Sequence, residues 1–281
     1  MPELPEVEIL ARHLDPLLRG ETIRDVHVWR AKVINPTSEK ALSEALTGAR
    51  IQSVRRRGKF LLFDLKRGRR PFELLGHLGM TGRMFVQPAR APLPKHTAVS
   101  MSLGARQFVY QDTRYFGRFT LDLSSLEKLG PEPLEDEFDP VSFRAVLKRS
   151  GQAIKVKLLD QSLVVGVGNI YASEALYRAG ISPRKAARRL TIAETEKLFD
   201  SIRSTLGQAI ECGSTIPLDF AGHGTGDGMF YYGSAAGSSD YQHEQLRVYD
   251  REGEPCSVCS TPIKRIVQAA RSTFFCGNCQ R

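Results

Sequence analysis

The chain lacks any apolar stretch that approaches the roughly 18 uninterrupted residues of a membrane-spanning helix. Its N-terminal residues also lack a basic segment followed by an apolar run, which is the pattern of a secretory signal. These absences argue against a membrane protein and an exported one. We therefore expect a globular protein that stays in the cytoplasm, in association with the nucleoid, and has no membrane partner.

Acidic side chains are absent from residues 255 to 281, which hold four basic ones. Over all 281 residues, 40 Lys and Arg outnumber 31 Asp and Glu, for a formal charge of +9. Two further basic clusters lie at residues 55–59 and 184–189. One cluster alone is usually a solvated face, but three of them favour a nucleic-acid partner. The length and the 41% hydrophobic content suffice for two domains, each with its own core.

Cysteine is scarce, but four of the five cysteines form two CxxC pairs separated by sixteen residues: Cys256, Cys259, Cys276 and Cys279. Each pair can offer two thiolates to one tetrahedral ion, and a β-hairpin can bring the pairs together. Disulfides are the alternative, disfavoured because nothing indicates secretion. With four thiolates and no open position, we expect one structural Zn²⁺. Cys212 remains, and we expect it to be a small buried residue.

The N-terminal residues Met1, Pro2 and Glu3 indicate covalent chemistry. Removal of Met1 would leave Pro2 with a secondary amine, which can attack an electrophilic sugar carbon and form an iminium that accepts electrons. Glu3 could then move protons. The alternative is that Pro5 merely begins a helix with acidic residues at its positive end. Apolar residues at helical spacing predict that helix from Pro5 to Gly20, so the amine would lie at its positive end with a lowered pKa.

Beyond that helix, residues 22–123 contain short β-like runs separated by Gly and Pro, which predict a sandwich or barrel. The expected strands are Thr22–Val28, Lys59–Leu65, Phe72–Leu75, Arg83–Val86, Thr97–Leu103 and Gln107–Tyr110. The acidic segment 131–140 is predicted to be a linker, and Val141–Ile210 to be helices broken at 165–169 and 180–183. Six glycines within residues 222–237 indicate either a functional loop or disorder.

Several separated motifs together resemble one family, the formamidopyrimidine-DNA glycosylase branch that is grouped with endonuclease VIII enzymes. These motifs are PELPEVE (2–8), RGKFLLF (57–63), GHLGMTGR (76–83), DTRYFGRF (112–119), LGPEPL (129–134), VVGVGNIYASEALYRAGI (164–181) and the CxxC pairs. The resemblance implies an α+β multidomain fold with DNA in a cleft. Its expected parts are an N-terminal β-sandwich domain with a helix (1–130), the linker (131–140), a helix-two-turn-helix domain (141–220), a lesion-capping loop (221–245) and a zinc finger (246–281).

The resemblance also implies roles for the N-terminal residues. Pro2 would displace the damaged base at C1′, after which β- and δ-elimination cut the strand on both sides. Glu3 would protonate the sugar and shuttle protons, and Glu6 would be a supporting carboxylate. Lys59, grouped with the catalytic residues, would grip a phosphate near the lesion. The remaining backbone contacts would come from His96, Lys155, Asn169 and Arg271.

Met80, Arg114 and Phe116 are similar to the residues that enter the duplex where the target base has left. An apolar wedge with a cationic side chain replaces lost stacking and pairs with the orphaned base. Taken alone, Met80 and Phe116 would be assigned to the core, and it is their motif contexts that reverse this assignment. The chain departs from the family at the long glycine-rich loop 221–245, where no base contacts are assigned, and at Thr113, where the family usually has Pro.

The resemblance therefore implies a bifunctional DNA glycosylase and abasic-site lyase that excises oxidised purines, namely 8-oxoguanine and formamidopyrimidines. We expect a monomer that binds duplex DNA with oxidised bases or abasic sites and needs no cofactor for chemistry. One alternative is an endonuclease VIII-like enzyme for oxidised pyrimidines, which Leu4 and the Met80, Arg114 and Phe116 set disfavour. The other is a zinc-bearing protein that binds damaged DNA without cutting it, which Pro2 and Glu3 disfavour.

Overall fold

The computed structural model describes residues 2–213 and 246–281. Those residues form two compact units, the first with Pro2 and residues 6–127, the second with residues 3–5, 128–213 and 246–281. The first long element is helix α1 (Leu4–Leu18). It buries Leu10, Leu14 and Leu18, whose spacing of four residues lines one helix face. The helix predicted from Pro5 to Gly20 is thus present.

The first unit is built from two four-stranded antiparallel sheets and a short helix, α2 (Glu39–Leu46). The strands are β1 (Asp25–Val28), β2 (Arg50–Arg57), β3 (Phe60–Arg67), β4 (Arg70–His77), β5 (Gly82–Pro88), β6 (Thr97–Ser102), β7 (Arg106–Asp112) and β8 (Arg118–Thr120). One sheet has the order β1-β6-β7-β5 and the other β2-β3-β4-β8. These sheets confirm the predicted β-sandwich.

Aromatic side chains from both sheets meet in the core of the first unit. Phe63 of β3 makes edge contacts with Phe108 of β7 and Phe119 of β8, with ring centroids 5.7 Å apart in each pair. Phe108 stacks on Phe119 at 5.6 Å. Offset and edge-on geometries suit the charge distribution of aromatic rings, and the apolar area that they bury holds the two sheets together.

Three elements of this unit were not predicted from the sequence, namely strand β2, helix α2 and the three-residue strand β8. Strand β2 has a register shift between Ile51 and Ser53, so its inward residues Ile51 and Val54 are three positions apart and the alternation of a strand is lost. Helix α2 buries only Leu42 and Leu46, and two apolar residues are too few to show helical spacing in the sequence. Strands β3, β4, β5 and β7 extend beyond the runs expected for them, and β1 is shorter.

The second unit contains four helices in the segment that was predicted to be helical: α3 (Pro140–Lys148), α4 (Ile154–Leu158), α5 (Asn169–Ala179) and α6 (Ile192–Glu211). Asp139 caps α3 by accepting hydrogen bonds from the amides of Val141 and Ser142. Thr191 and Glu194 form a reciprocal capping box at the start of α6. Because these caps satisfy amide groups that the first helical turn leaves unpaired, they set where each helix begins.

The acidic segment 131–140 lies inside the second unit. Phe138 is buried and stacks on Phe199 of α6 with ring centroids 4.6 Å apart. Arg203 of α6 donates to the carbonyls of Pro133 and Glu135 at 3.0 and 3.1 Å. Packing and hydrogen bonds therefore hold this segment against the helices, which composition alone does not reveal.

A two-stranded hairpin ends the chain, with β9 (Ile263–Gln268) antiparallel to β10 (Arg271–Cys276). Its turn consists of Ala269 and Ala270, both with positive φ, at 48° and 58°. This is the backbone of the primed turns that two-residue hairpins favour. None of the helices in residues 2–213 and 246–281 combines the length and hydropathy needed to cross a membrane.

Candidate active site and nucleic-acid interface

The carboxylate of Glu3 is buried, and backbone amides hold it in place. It accepts hydrogen bonds from the amides of Gly168, Ile170 and Tyr171 at 2.8, 2.9 and 3.3 Å. These amides begin helix α5, where unpaired N–H groups and the helix dipole favour a negative group. The carboxylate next to Pro2 is thereby fixed in orientation, while Pro2 itself is buried.

The glycines of the VVGVGN turn make this contact possible. A Cβ on Gly168 would overlap the carboxyl group of Glu3, and a Cβ on Gly166 would come within 2.5 Å of the Leu4 side chain. Gly166 also has a φ of +88°, which side-chain-bearing residues rarely adopt. The amide of Leu4 donates to the Gly166 carbonyl at 3.1 Å. The glycines thus let residues 3 and 4 approach the start of α5 closely.

A cationic and amide cluster lies beside this turn in the second unit. Lys155 is fully buried and its ammonium group hydrogen-bonds to Oδ1 of Asn169. The side-chain amide of Asn169 donates to the Ser272 carbonyl at 2.9 Å, which joins α5 to strand β10 directly after Arg271. Lys155, Asn169 and Arg271, all predicted to contact phosphate, are therefore brought into one region.

Lys155 has an unusual protonation equilibrium. Burial, followed by the positive charge of Arg271, lowers the pKa of Lys155 to about 8, although the Glu3 carboxylate acts in the opposite direction. Lys155 is buried and Arg271 is exposed, and the two positive charges repel each other unless an anion joins them. A phosphate would supply that anion and would favour the charged form of Lys155.

The four cysteines of the CxxC pairs form one cluster in which all Sγ atoms lie within 4.8 Å of one another. Sγ–Sγ distances are 3.8 Å for Cys256 and Cys279, and 3.4 Å for Cys259 with both Cys276 and Cys279. A tetrahedral zinc with Zn–S bonds near 2.3 Å requires sulfur separations of about 3.8 Å. The cluster therefore fits zinc, and four thiolates make the site structural.

The first unit presents Met80 and Phe116 at its surface, with 43% and 48% of their area exposed. Arg114 is also exposed, and its guanidinium lies 4.8 Å from the centre of the Phe116 ring. Lys32 lies on the same ring at 5.4 Å. Cations on an aromatic face are attracted by the charge distribution of the ring. Met80 and Phe116 are thus surface residues and not part of the core.

One buried carboxylate, that of Asp112, organises the loops that carry these surface residues. It accepts hydrogen bonds from the Thr81 hydroxyl at 2.6 Å, the Arg114 amide at 3.1 Å and the Gly117 amide at 2.9 Å. A Cβ on Gly79 would approach the Gly117 amide nitrogen to 2.6 Å, so the two loops pack closely. The turn after β4 and the loop after β7 therefore behave as one assembly.

His96 lies beside the same loop and has a φ of 66°. Its Nδ1 is 3.2 Å from the hydroxyl of Tyr115, to which Arg30 donates from Nε at 3.1 Å. Tyr115 is likewise in the left-handed region, with φ at 53°. The predicted residue His96 and the unpredicted residue Arg30 thus both contact the residue between Arg114 and Phe116.

Lys59 is buried in the turn between β2 and β3. Its charge acts on His77, a residue to which the sequence motifs gave no role. Burial and then the charges of Lys59 and Arg118 lower the pKa of His77 to about 4. The neutral imidazole accepts the Gly79 amide proton at Nδ1, at 3.1 Å, so Nε2 carries the ring proton. His77 pairs with Phe60 across β3 and β4, and its place in the GHLGMTGR motif was the available signal.

Glu6 lies buried in the first turn of α1, in the first unit. Its neighbour Glu8 forms an ion pair with Arg56 of β2 at 2.8 Å. The glycine-rich loop predicted at 221–245 lies outside the described residues.

Comparison with known proteins gives matches along the chain. Residues 1–119 match the model of the formamidopyrimidine-DNA glycosylase N-terminal domain, 129–219 that of the H2TH domain of the same enzymes, and 253–281 that of a zinc finger found in FPG and IleRS. The formamidopyrimidine-DNA glycosylase of Carboxydothermus hydrogenoformans is 38% identical, with 100% of both chains covered. That of Thermus thermophilus is 42% identical, covering 100% of this chain and 98% of its own.

Solved structures give the same result. The complex of the Lactococcus lactis FPG mutant G226P with Fapy-dG-containing DNA has a TM-score of 0.87 and 35% identity, with 100% of both chains covered. MutM in complex with carbocyclic 8-oxo-G-containing DNA has a TM-score of 0.86, 35% identity and the same coverage. With full-length similarity to these proteins and all three domain models in order, the chain belongs to the formamidopyrimidine-DNA glycosylase family.

Proposed function

We propose that the chain is a bifunctional DNA glycosylase and abasic-site lyase that excises oxidised purines, with 8-oxoguanine and formamidopyrimidines as its substrates. The observation that carries this proposal is the Glu3 carboxylate, which three amides of the α5 N-terminus orient directly after Pro2. The solved relatives support the substrate class, since they hold DNA with Fapy-dG, an 8-oxo-G analogue or an abasic site. A protein that only binds damage would have no need for this fixed carboxylate.

The proposed reaction begins once Met1 has been removed. The nitrogen lone pair of Pro2 attacks C1′ of the damaged nucleoside, the glycosidic bond breaks, and its electron pair leaves with the base, which takes up a proton. The Pro2 nitrogen then gives up its proton, and protonation of O4′ breaks the C1′–O4′ bond, which opens the sugar and forms the iminium. The iminium acidifies C2′, so loss of that proton expels the 3′ phosphate and a second elimination expels the 5′ phosphate. Glu3 supplies and accepts protons at the sugar, and the buried Glu6 supports the amine electrostatically.

Backbone phosphates would be gripped by charged and amide side chains. Lys155, Asn169 and Arg271 support this role because hydrogen bonds and charge link them within the second unit. Lys59 and His96 would contribute contacts from the first unit. Such contacts fix the register of DNA without reading its sequence. The protein would thus act on duplex DNA as a monomer at the nucleoid, and its affinity would fall steeply with salt.

Met80, Arg114 and Phe116 would fill the duplex after the damaged base has turned out. Their exposure and the contact between Arg114 and Phe116 support this role, since a wedge must be available at the surface. Apolar side chains then replace lost stacking, and the guanidinium pairs with the orphaned base. The zinc finger, with ligands Cys256, Cys259, Cys276 and Cys279, holds Arg271 on its hairpin.

Borohydride trapping tests this proposal directly. Protein with Met1 removed is mixed with a duplex that carries 8-oxoguanine opposite cytosine, and we expect a reduced adduct whose crosslinked peptide maps to Pro2. Protein that retains Met1 should give no adduct at Pro2, because the Pro2 nitrogen is then part of a peptide bond and is no longer a nucleophilic amine. An adduct that maps to another residue, or normal turnover by the blocked protein, contradicts the mechanism.

The variant Glu3→Gln provides a second test, because the glutamine side chain has the shape of glutamate but carries no charge. Base release should fall by at least about a hundredfold while DNA binding persists, since general acid–base catalysis contributes factors of that size. Faster excision of thymine glycol than of 8-oxoguanine by the unmodified protein would instead favour the pyrimidine-specific alternative.

A further inference from the structure

A tyrosine hydroxyl contacts the zinc cluster from helix α5. The hydroxyl of Tyr177 lies 3.2 Å from Sγ of Cys256 and 3.5 Å from Oγ of Ser257. The Tyr177 ring packs against the small apolar core of the zinc finger, which contains Ile263 and Phe274. Neither the motifs nor the proposed chemistry gives this tyrosine a role.

The direction of this hydrogen bond follows from the chemistry of the sulfur. When zinc is bound, Cys256 is a thiolate without a proton, so the Tyr177 hydroxyl must donate and the sulfur must accept. Cys256 is 2% exposed and has little access to water. A donor at this sulfur disperses the negative charge that four thiolates place around one divalent ion. Such outer partners orient metal ligands and tune how tightly the metal is held.

Other bonds attach the zinc finger to the end of α5 without using the Tyr177 hydroxyl. The amide of Arg281 donates to the Gly180 carbonyl at 3.1 Å, and the amide of Ser182 donates to the Arg281 carbonyl at 3.1 Å. The side chain of Gln280 links the Cys276 amide, at 2.9 Å, to the Ile181 carbonyl, at 3.0 Å. Loss of the hydroxyl should therefore leave the finger attached and alter the metal ligand alone.

We propose that Tyr177 is a positioning residue of the zinc centre, whose hydroxyl donates to the Cys256 thiolate and retains the metal. The same helix contacts the finger at its other end, where the Asn169 side chain donates to the Ser272 carbonyl. Two side chains of helix α5, two turns apart, thus hold the hairpin that carries Arg271. Asn169 bonds to the backbone of the hairpin, and Tyr177 bonds to a metal ligand.

The test compares Tyr177→Phe with the unmodified zinc-bound protein. The substitution removes one oxygen and keeps the ring in the apolar cluster, so thermal unfolding checks that the fold persists. Transfer of zinc to a chromogenic chelator should become about tenfold faster, the lower end of the effect seen when outer partners of metal ligands are removed. After exchange of zinc for ¹¹³Cd, the NMR resonance of the bound metal should also move, since the donor strength of one thiolate has changed.

Both readouts must change for the proposal to stand. Zinc release within twofold of the unmodified protein overturns it, and so does an unchanged ¹¹³Cd resonance, because a purely structural role would loosen the finger without altering the sulfur. Ser257→Ala is the matched control, since it removes the weaker neighbour of the same hydroxyl at 3.5 Å. We expect this control to leave both readouts unchanged. An effect equal to that of Tyr177→Phe would overturn the proposal, because it would mean that the Tyr177 hydroxyl acts through Ser257 and not through Cys256.

Discussion

The hydroxyl of Thr81 donates a hydrogen bond to the carboxylate of Asp112 at 2.6 Å, across 31 residues of sequence. Through this bond the turn that follows Met80 is joined to the loop that carries Arg114 and Phe116. Asp112 is fully buried, so hydrogen-bond donors must take the place of the water that its carboxylate has lost. The Asp112 carboxylate therefore joins the two loops that carry the residues of the proposed wedge.

Removal of the Thr81 hydroxyl should loosen this assembly. Thr81→Val keeps the shape of the side chain but leaves one oxygen of a buried carboxylate with one donor fewer, so we expect a loss of about 2 kcal/mol in the free energy of unfolding. Urea unfolding measures that loss. Fluorescence of 2-aminopurine beside the lesion should report slower entry of the wedge. Thr81→Ser retains the hydroxyl and should behave like the unmodified protein; equal behaviour of Ser and Val variants would refute this link.

Lys155 should make DNA binding depend on pH. The pKa of this residue is lowered to about 8 in the free protein, and a bound phosphate should raise it again. Above pH 8 the complex would then take up a proton, so the association constant should fall by up to about tenfold per pH unit. Titration of binding between pH 7 and 10 measures this slope. Lys155→Arg stays charged over the range and should lack the slope; a slope that persists in this variant would exclude Lys155 as its source.

Glu174 ties α5 to the start of the zinc-finger segment. Its buried carboxylate accepts hydrogen bonds from the amides of Arg247, Val248 and Tyr249 at 2.9, 2.9 and 2.8 Å. Burial raises the pKa of Glu174, while these three amides act in the opposite direction. Glu174→Ala should lower the free energy of unfolding by about 3 kcal/mol, since the amides lose their acceptor.

Hydrogen exchange localises this effect. Exchange should accelerate at residues 247–249 in Glu174→Ala, because the carboxylate accepts the hydrogen bonds of these three amides. Glu196→Ala, at an exposed position of α6, is the control and should leave exchange there unchanged. Unaltered protection at 247–249 in the Glu174 variant would contradict the assignment.

The turn of the zinc hairpin should be open to stabilisation. Ala269 and Ala270 both have positive φ, a conformation that costs a residue with a Cβ roughly 1–2 kcal/mol. Replacing the pair with Asn-Gly, the sequence that such turns prefer, should raise the free energy of unfolding by about 1 kcal/mol after the entropy of glycine is counted. Ala270→Val should have the opposite sign. Thermal unfolding of the zinc-bound protein measures both, and a loss of stability in the Asn-Gly variant would disprove the strain.

Local patterns were enough to predict several parts of this protein. The spacing of four cysteines predicted a single metal cluster, because two CxxC turns and a hairpin dictate how thiolates can meet. Apolar residues at helical spacing predicted α1. In both cases the chemistry depends on neighbours in the sequence, so it can be read from a short stretch. Strand β2 escaped the same reading because its bulge breaks the alternation on which strand prediction relies.

Contacts between distant residues could not be predicted in this way. The acceptor at Glu3 and its donors at Gly168 and Ile170 lie 165 and 167 residues apart, and neither stretch carries a local pattern that names the other. The lowered pKa values of His77 and Lys155 likewise arise from burial and from charges that folding brings close. Hydrogen bonding and Coulomb interaction act over a few ångströms in space, so these properties exist only once the chain has folded.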